Sequence, residues 1–558
     1  MAQDQDGAQK LKSILEKSRK EAEERDAERR ALKAGVPYLS LLTQPIETDA
    51  LELLSEEKAR KAQVATIEKK GDRAVLAAFD PKDPKAKAII EELQKKGLIL
   101  KIFVVSPASL NRAWTFYKYV IKKIGPITGR IDVDKERVEG LIKKLVQLGI
   151  VKEEIENFDF KKFSTAQILE IILAGALANR ASDIHFEPAR TAVKIRYRID
   201  GDLHDVLETL KPAIYNHLAS RIKLLSNLKL NVRDEAQDGR FTIGLGKKEI
   251  EIRVAVAPSE FGEVIVMRIL DPDAINLSLP DLGLRKDDLK IIEAELKRPN
   301  GMILNTGPTG SGKTTTLYAF LKHKSSPDIK IITIEDPIEY HVEGIEQTQV
   351  DPEANYTFAN GLKSLMRQDP DVILIGEVRD KETAEIAIQA ALTGHLVFST
   401  VHANQAAGAI PRFIDLGVKP TSIGPALNLI IAQRLVKRLC ENCKAIDKSA
   451  EQVKSKLEKL VKALPERVTK KDYGKITIFK PRGCKKCGDS GYRGRIAIYE
   501  LLQVTKEIEK LMNAQAGEIE IQEFAFKEGM VTMQQDGILK VISGITTLEE
   551  VEKVTGQI

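Results

Sequence analysis

The sequence predicts a multidomain α/β protein with a parallel-sheet nucleotide-binding domain in its C-terminal part. Three observations carry that prediction. At 558 residues the chain exceeds what one hydrophobic core can organise, so three or four domains are expected. Between "GMILNTG" and "HLVFST", apolar strands alternate with helical segments, the texture of a sheet covered on both faces. Between the first of those strands and a helix stands "GPTGSGKT", a complete phosphate-loop signature in the context that signature requires. The composition, 43% hydrophobic and 30% charged, is that of a globular protein. A net charge of +6 is too small for this length to mark a nucleic-acid binder. No apolar run reaches the roughly 18 residues of a membrane span. The charged N-terminus has no apolar signal core, so a cytoplasmic location is expected.

Taken in order, residues 1–34 are a Lys/Glu/Arg/Ala-rich extension with no sustained apolar stripe, read as a solvated or partly disordered helix. Residues 35–124 form a first α/β domain. There "RAVLAAFDP" reads as a strand and turn, "AKAIIEELQKKG" as a helix ending at Gly97, and "LILKIFVVSP" as the next strand. Residues 125–163 read as a linker with one or two helices. The second α/β domain, 164–272, opens with a helix that Ser164 can cap and continues through the alternating strands "VKIRYRIDG" and "KEIEIRVAVAP". A Pro-containing stretch, 273–285, leads to the last domain, 286–558. The sequence shows neither an internal repeat nor a low-complexity tract.

In the phosphate loop, Gly307, Pro308, Thr309, Gly310, Ser311, Gly312, Lys313, Thr314 and Thr315 are the nucleotide-binding residues. Glycines let backbone N–H groups converge on phosphate oxygens, and the helix that follows adds its positive end. Lys313 would reach the β/γ-phosphates and Thr314 would ligate Mg²⁺. In "DVILIGEVRD" the first acid after the apolar run is Glu377, behind Gly376. Asp371 precedes the run, about 20 Å away along an extended strand, at the wrong end for a site beyond the carboxyl ends of the strands. Glu377 is at the right end, where a carboxylate can hold Mg²⁺-bound water or polarise the attacking water. The neighbouring "ITIEDPIEY" ends in Glu335, Asp336 and Glu339, which Pro337 is expected to leave exposed at the strand tip. His395 and His402 flank one buried strand; His402 lies at its carboxyl end and can sense the γ-phosphate, while His395 can face a subunit boundary or simply pack.

The order GPTGSGKT, ITIEDPIEY, LIGEVRD, LTGHLVFSTVHAN resembles the secretion ATPase superfamily, the motors of type II secretion and type IV pili. The resemblance implies a RecA-like C-terminal ATPase domain, a smaller PAS-like domain before it, and a further N-terminal module. It makes Glu377 the catalytic acid after the Walker B strand, 335–339 the "Asp box", and the two histidines the "His box". Phosphoryl transfer needs further positive charge, and by resemblance Arg240 and Arg253 of "RDEAQDGRF" and "EIRVAV" are arginine fingers. Ala236 stands where the family usually has proline, a departure that removes no chemical group. The first domain shows no repeated Arg-Leu-Gly-x-x-Leu pattern of the kind that binds cyclic di-GMP in some members.

All four cysteines fall in two C-x-x-C pairs, Cys440/Cys443 and Cys484/Cys487. Four thiolates suit a closed tetrahedral zinc site; a redox-active pair or two disulfides are the alternatives, and the gap between the pairs is long for a zinc ribbon. A helix looped out over "SAEQVKSKLEKLVKALPE" would account for the gap, and the resemblance favours zinc, since retraction motors generally lack these cysteines. The expected protein is a hexameric ATPase that powers type IV pilus extension at the cytoplasmic face of the inner membrane. It would use ATP, Mg²⁺ and Zn²⁺ and pass force to a polytopic platform protein and ring proteins, without nucleic acid. Type II secretion is the alternative; a retraction motor, a DNA-translocating or conjugation ATPase, and a non-catalytic nucleotide-binding scaffold are the rivals.

Overall fold

The structure is a computed structural model. It describes residues 19, 22–42, 44, 46, 48–51, 53–70, 73–95, 97–119, 130–132, 135–158, 165–245, 248–447 and 451–557. Two compact units divide at residue 126.

In the first unit, helix α1 (residues 22–34) precedes strands β1 (Val64–Lys70) and β2 (Arg73–Ala78), helix α2 (Pro84–Lys95) and strand β3 (Ile99–Val104). β2 pairs antiparallel with β1 and parallel with β3. Helix α1 differs from the solvated extension expected for 1–34: Ala27 and Ala31, one turn apart, are buried. Glu24 accepts hydrogen bonds from Tyr38, Ser106 and Ser109, the last at 3.1 Å, and Arg30 covers the Phe79 ring at 3.8 Å. Two alanines make a stripe too narrow to show as apolar periodicity, and charged side chains make the attachment. The rest of 1–34 lies outside the described residues.

The second unit begins with the segment read as a linker, and the structure places its described part inside the next domain. Strand β4 (Arg130–Asp132) pairs with β8 (Gln237–Leu245). Helices α3 (Lys135–Lys144) and α4 (Leu148–Glu156), with Leu145 between them, bury Val138, Leu145, Val151 and Ile155 in one core with helix α5 (Thr165–Ala178). Ser164, the expected cap of α5, lies outside the described residues. The sheet has the order β4-β8-β9-β10-β5-β6-β7, where β5 is Ala181–Pro188, β6 Val193–Ile199, β7 Asp202–Leu210, β9 Lys248–Ser259 and β10 Gly262–Leu270. All its pairs except β4–β8 are antiparallel. Alternate residues such as Ile184, Phe186, Ile195 and Tyr197 face the core; Asp183, His185, Arg196 and Arg198 occupy the other face.

The boundary segment 273–285 is packed, with Leu279 and Leu282 buried under the next sheet. That sheet has the order β13-β12-β14-β15-β11-β16-β17, with β11 Gly301–Thr306, β12 Ile331–Glu335, β13 Glu346–Gln349, β14 Val372–Ile375, β15 Leu396–Val401, β16 Leu427–Leu439 and β17 Tyr492–Gln503. Only the β16–β17 pair is antiparallel. Ile373 and Ile375 of β14 join the apolar cluster on one side, Val372 and Leu374 the cluster on the other, so the strand is buried on both faces as its unbroken apolar run predicts. Helix α6 (Lys313–Lys324) follows the phosphate loop. Between the cysteine pairs stands helix α7 (Glu451–Ala463), which packs Leu457 and Val461 with Leu539 and Ile542 of helix α8 (Met533–Ile542). Among the described residues, no helix is long and apolar enough to cross a membrane.

Candidate functional site

The phosphate loop joins β11 to α6 at the carboxyl edge of the parallel sheet, where ligands of open α/β sheets bind. Gly310 and Gly312 adopt φ of +77° and +89°, conformations that side chains other than glycine resist. The Lys313 ammonium donates to the carbonyls of Gly307 (2.8 Å) and Pro308 (3.1 Å). Burial lowers its pKa, opposed by the Glu377 charge and reinforced by Arg434, so Lys313 and Glu377 lie within electrostatic reach of each other. Thr314 and Thr315 open α6. Pro308 and Thr309 are exposed, and the hydroxyl of Ser311 is buried with no hydrogen-bond partner, an orphan that a phosphate oxygen would satisfy.

Glu377 is held by its neighbours' backbones. The Gly376 N–H donates to Ile334 O (2.8 Å), Thr400 Oγ1 donates to Gly376 O (2.8 Å), and the Val378 N–H donates to Thr400 O (2.9 Å). A Cβ at Gly376 would stand 3.4 Å from the β12 backbone, an ordinary contact, so the close pairing of the two strands does not itself require glycine there. The Glu377 side chain is 14% exposed, lies 3.5 Å from His402 Nε2, and forms an ion pair with Arg379, whose guanidinium is also 3.8 Å from Asp336. His395 is at the other end of β15, its ring 3.0 Å from the carbonyl of Ala390. The two histidines are apart, as the sequence indicated.

The acids after β12 separate into two environments, which corrects the expectation that all are exposed at the tip. Glu335 is buried, because alternation along β12 turns it, with Thr333, towards α6. There it accepts hydrogen bonds from Tyr318, Thr333 (2.6 Å) and Gln347 (3.1 Å), and burial beside this carboxylate drives the Tyr318 phenol far above its usual pKa. Glu339 remains accessible, and Arg253 of the preceding domain reaches it at 3.0 Å while also donating to the carbonyl of Ile338. Arg240 is directly opposite Arg253 in the β8–β9 register but is 69% exposed, its nearest acid being Glu251 at 3.9 Å. Like charges directly opposite on a sheet repel, and Arg268 extends the row on β10. Of this row, Arg253 reaches the loop after β12, while Arg268 pairs with Asp183 at 3.0 Å. Gly239, next to Arg240, lets β8 pass close to residue 226: a Cβ there would come within 2.4 Å of Ser226 O.

Sequence reading did not single out Gln433, Arg434 or Arg379. Gln433 Oε1 accepts from Asn305 (3.0 Å) and Thr316 (2.9 Å) beneath the loop, and Arg434 donates to Asn404 (3.1 Å) beside it. Arg379 is in the quoted "GEVRD", and its charge next to Glu377 was the available signal. The residues on β16 carry no local signal, since only strand order brings them to β11.

The four cysteines form one cluster. Their sulfurs lie within 4.8 Å of one another, with separations of 3.9, 3.8 and 3.7 Å for Cys440–Cys484, Cys443–Cys487 and Cys484–Cys487. A tetrahedral ion at about 2.3 Å from each sulfur would space them by about 3.8 Å, so the cluster could hold a metal ion, and zinc fits. Backbone N–H groups of Cys484 (3.2 Å) and Gly491 (3.3 Å) donate to Cys487 Sγ and fix its position in the cluster.

A family model described as type II/IV secretion system protein matches residues 161–553, and an MshEN domain model matches residues 34–117. The type IV pilus assembly ATPase PilB of Myxococcus xanthus is 38% identical over 528 residues, 93% of this chain and 88% of that protein. Type II secretion system protein E of Dickeya dadantii is 37% identical over 525 residues, 92% of this chain and 99% of that protein. The X-ray structure of the Legionella pneumophila ATPase DotB matches at a TM-score of 0.51 and 20% identity, over 71% of this chain and 97% of that one, and shares its fold. Apart from β4, the matched region covers both sheets of the second unit, the phosphate loop and the cysteine cluster. The chain belongs to the type II/IV secretion system protein family.

Proposed function

We propose that this chain is a Mg²⁺-dependent ATPase and the motor of type IV pilus assembly. One observation carries the reading: Lys313, Glu377 and Arg253, from three separate segments, gather around the carboxyl edge of a single parallel sheet. In this reading the amides of 307–315 cradle the phosphates, and Lys313 exchanges its two carbonyl acceptors for phosphate oxygens. Thr314 and Glu377 would hold Mg²⁺, which supplies charge neutralisation at the phosphates. Glu377 orients the attacking water and takes its proton, with His402 beside it to respond to the terminal phosphate. Glu335 fixes α6, and thereby the loop, through Tyr318. Glu339 receives Arg253 in the present arrangement, and Arg253 and Arg240 are the cations that turn to the transferring phosphoryl group. The cysteine cluster is a structural zinc site.

The motor would act as a homohexamer, peripheral at the cytoplasmic face of the inner membrane, on a platform protein and ring proteins and without nucleic acid. The length-wide likeness to the M. xanthus pilus assembly ATPase favours this reading, and the match to 99% of the D. dadantii secretion protein favours type II secretion as the second. The test is turnover by purified protein. Glu377→Gln and Lys313→Ala should each lower kcat by about 100-fold or more, and added DNA should leave the rate unchanged. Activity in Glu377→Gln equal to wild type would leave only a nucleotide-binding scaffold. Introducing the gene in place of each relative separates the two systems, by restored pili or restored exoprotein export.

A further inference from the structure

The cysteine cluster is some distance from the phosphate site. Cys440 is six residues past Arg434, about 20 Å along an extended strand. Yet the same stretch of chain that bounds the cluster is where the second domain lands. The β6–β7 hairpin turns at Asp200 and Gly201, whose φ of +50° and +99° are those of a two-residue hairpin turn with both residues in the left-handed region. That turn holds two acids at its tip. Asp200 Oδ2 accepts from the backbone N–H of Gly494 on β17 at 2.7 Å. Asp202 pairs with Lys437 on β16 and is 3.7 Å from Lys553. Lys437 is held in turn by Glu550 at 3.7 Å, with its ammonium 5.4 Å from the centre of the Tyr492 ring.

The landing strip is fastened to the cysteines. Three residues before Gly494, the Gly491 N–H donates to Cys487 Sγ at 3.3 Å, and the Gly491 carbonyl accepts from the Cys440 N–H at 2.9 Å. A cavity of about 230 Å³ opens along the seam, with a mixed lining in which Leu148 and Ile199 stand beside Arg180, His204 and Lys486. A seam closed by a few charge-assisted hydrogen bonds beside a cavity has little packing to break and can open and close. The docked hairpin belongs to the same sheet as Arg253, three strands away in the order β9-β10-β5-β6. A twisted sheet moves as one body, so fixing the hairpin tip and Arg253 fixes the domain's orientation over the ATPase edge.

We propose that Asp200 and Asp202 are positioning residues for catalysis: by clasping Gly494 and Lys437 they hold the second domain so that Arg253 stays at the nucleotide edge. The four cysteines influence turnover through this clasp, by shaping the strip it grips. The inference rests on the ATPase reading above.

Asp200→Gly keeps a residue content with positive φ and removes only the carboxylate, whereas Asp200→Asn keeps an acceptor. In hydrogen exchange, Asp200→Gly should lose protection across residues 490–496 while Asp200→Asn keeps it. In steady-state turnover, kcat of Asp200→Gly should fall about tenfold, the scale of one lost charge-assisted hydrogen bond, with KM for ATP nearly unchanged. Stripping the cysteine cluster of metal in wild type with a chelator, then removing the chelator and restoring Mg²⁺ before exchange and turnover are measured, should reproduce both changes. Chelating Asp200→Gly should add little, because the two lesions break one connection. Protection lost without a fall in kcat would overturn the positioning role, and a chelated wild type that keeps both protection and rate would overturn the link to the cysteines. Wild-type activity in Glu377→Gln would instead sink the ATPase reading, and the exchange result would stand apart from it.

Discussion

The two seven-stranded sheets of the second unit solve opposite problems. The parallel sheet is buried on both faces, with Ile373, Ile375, Val397 and Phe398 fully or nearly fully buried, and it shows chemistry only where its strands end. The antiparallel sheet has one apolar face and one charged face, and it carries Arg240, Arg253 and Arg268 side by side across neighbouring strands. A strand end presents single groups at fixed positions, which suits a lysine, a carboxylate and a loop of amides around one phosphate. A sheet face presents a row of like charges that is stable only while counter-charges such as Glu251, Glu339 and Asp183 are near. In the proposed reading the site draws on both: single groups from an edge, and cations from a face.

The comparison breaks most severely if a core strand proves tolerant. Ile373→Ala should destabilise the protein by about 2–5 kcal/mol, while Lys194→Ala on the charged face should fall within about 0.5 kcal/mol. Denaturation midpoints check both, and equal losses would mean that the faces are not as different as their burial.

A smaller effect sharpens the picture of the charged face. His185 lies there among Asp183, Glu187, Arg196 and Arg198, with its Nε2 buried and unpartnered. Burial lowers its pKa, with Asp183 opposing and Arg198 adding to the shift. The folded state thus binds fewer protons than the unfolded chain. This contribution to stability is intact above the ordinary histidine value and is lost as pH falls from about 6.5 through the depressed value. His185→Gln should flatten that limb of the stability–pH curve by a modest amount relative to wild type. An unchanged limb would mean that His185 is not the group responsible.

How much of this was legible depended on how far apart the cooperating residues lie. The phosphate loop, the strand ahead of Glu377 and the cysteine pairs are written in consecutive residues, and the structure places them in one site and one cluster. Glu335 reads as exposed because it stands two residues before a strand-ending proline, while alternation along β12 sends it inward to Tyr318. Helices α3 and α4 read as linker because each is short and finds its apolar partner on α5, which no local pattern reveals. The clasp of Asp200 on Gly494 joins residues 294 apart, and only the folded arrangement of two sheets creates it.

The account stands on the claim that the charged sheet supplies a cation the parallel sheet cannot. Single-turnover hydrolysis by Arg253→Ala at saturating ATP measures this most directly. The expected rate is about 1000-fold or more below wild type, in the range known for a removed arginine finger, with nucleotide affinity largely retained. A rate within about threefold of wild type, where only a weak contact has been lost, would contradict the account, leaving the arginine row as a structural charge ladder.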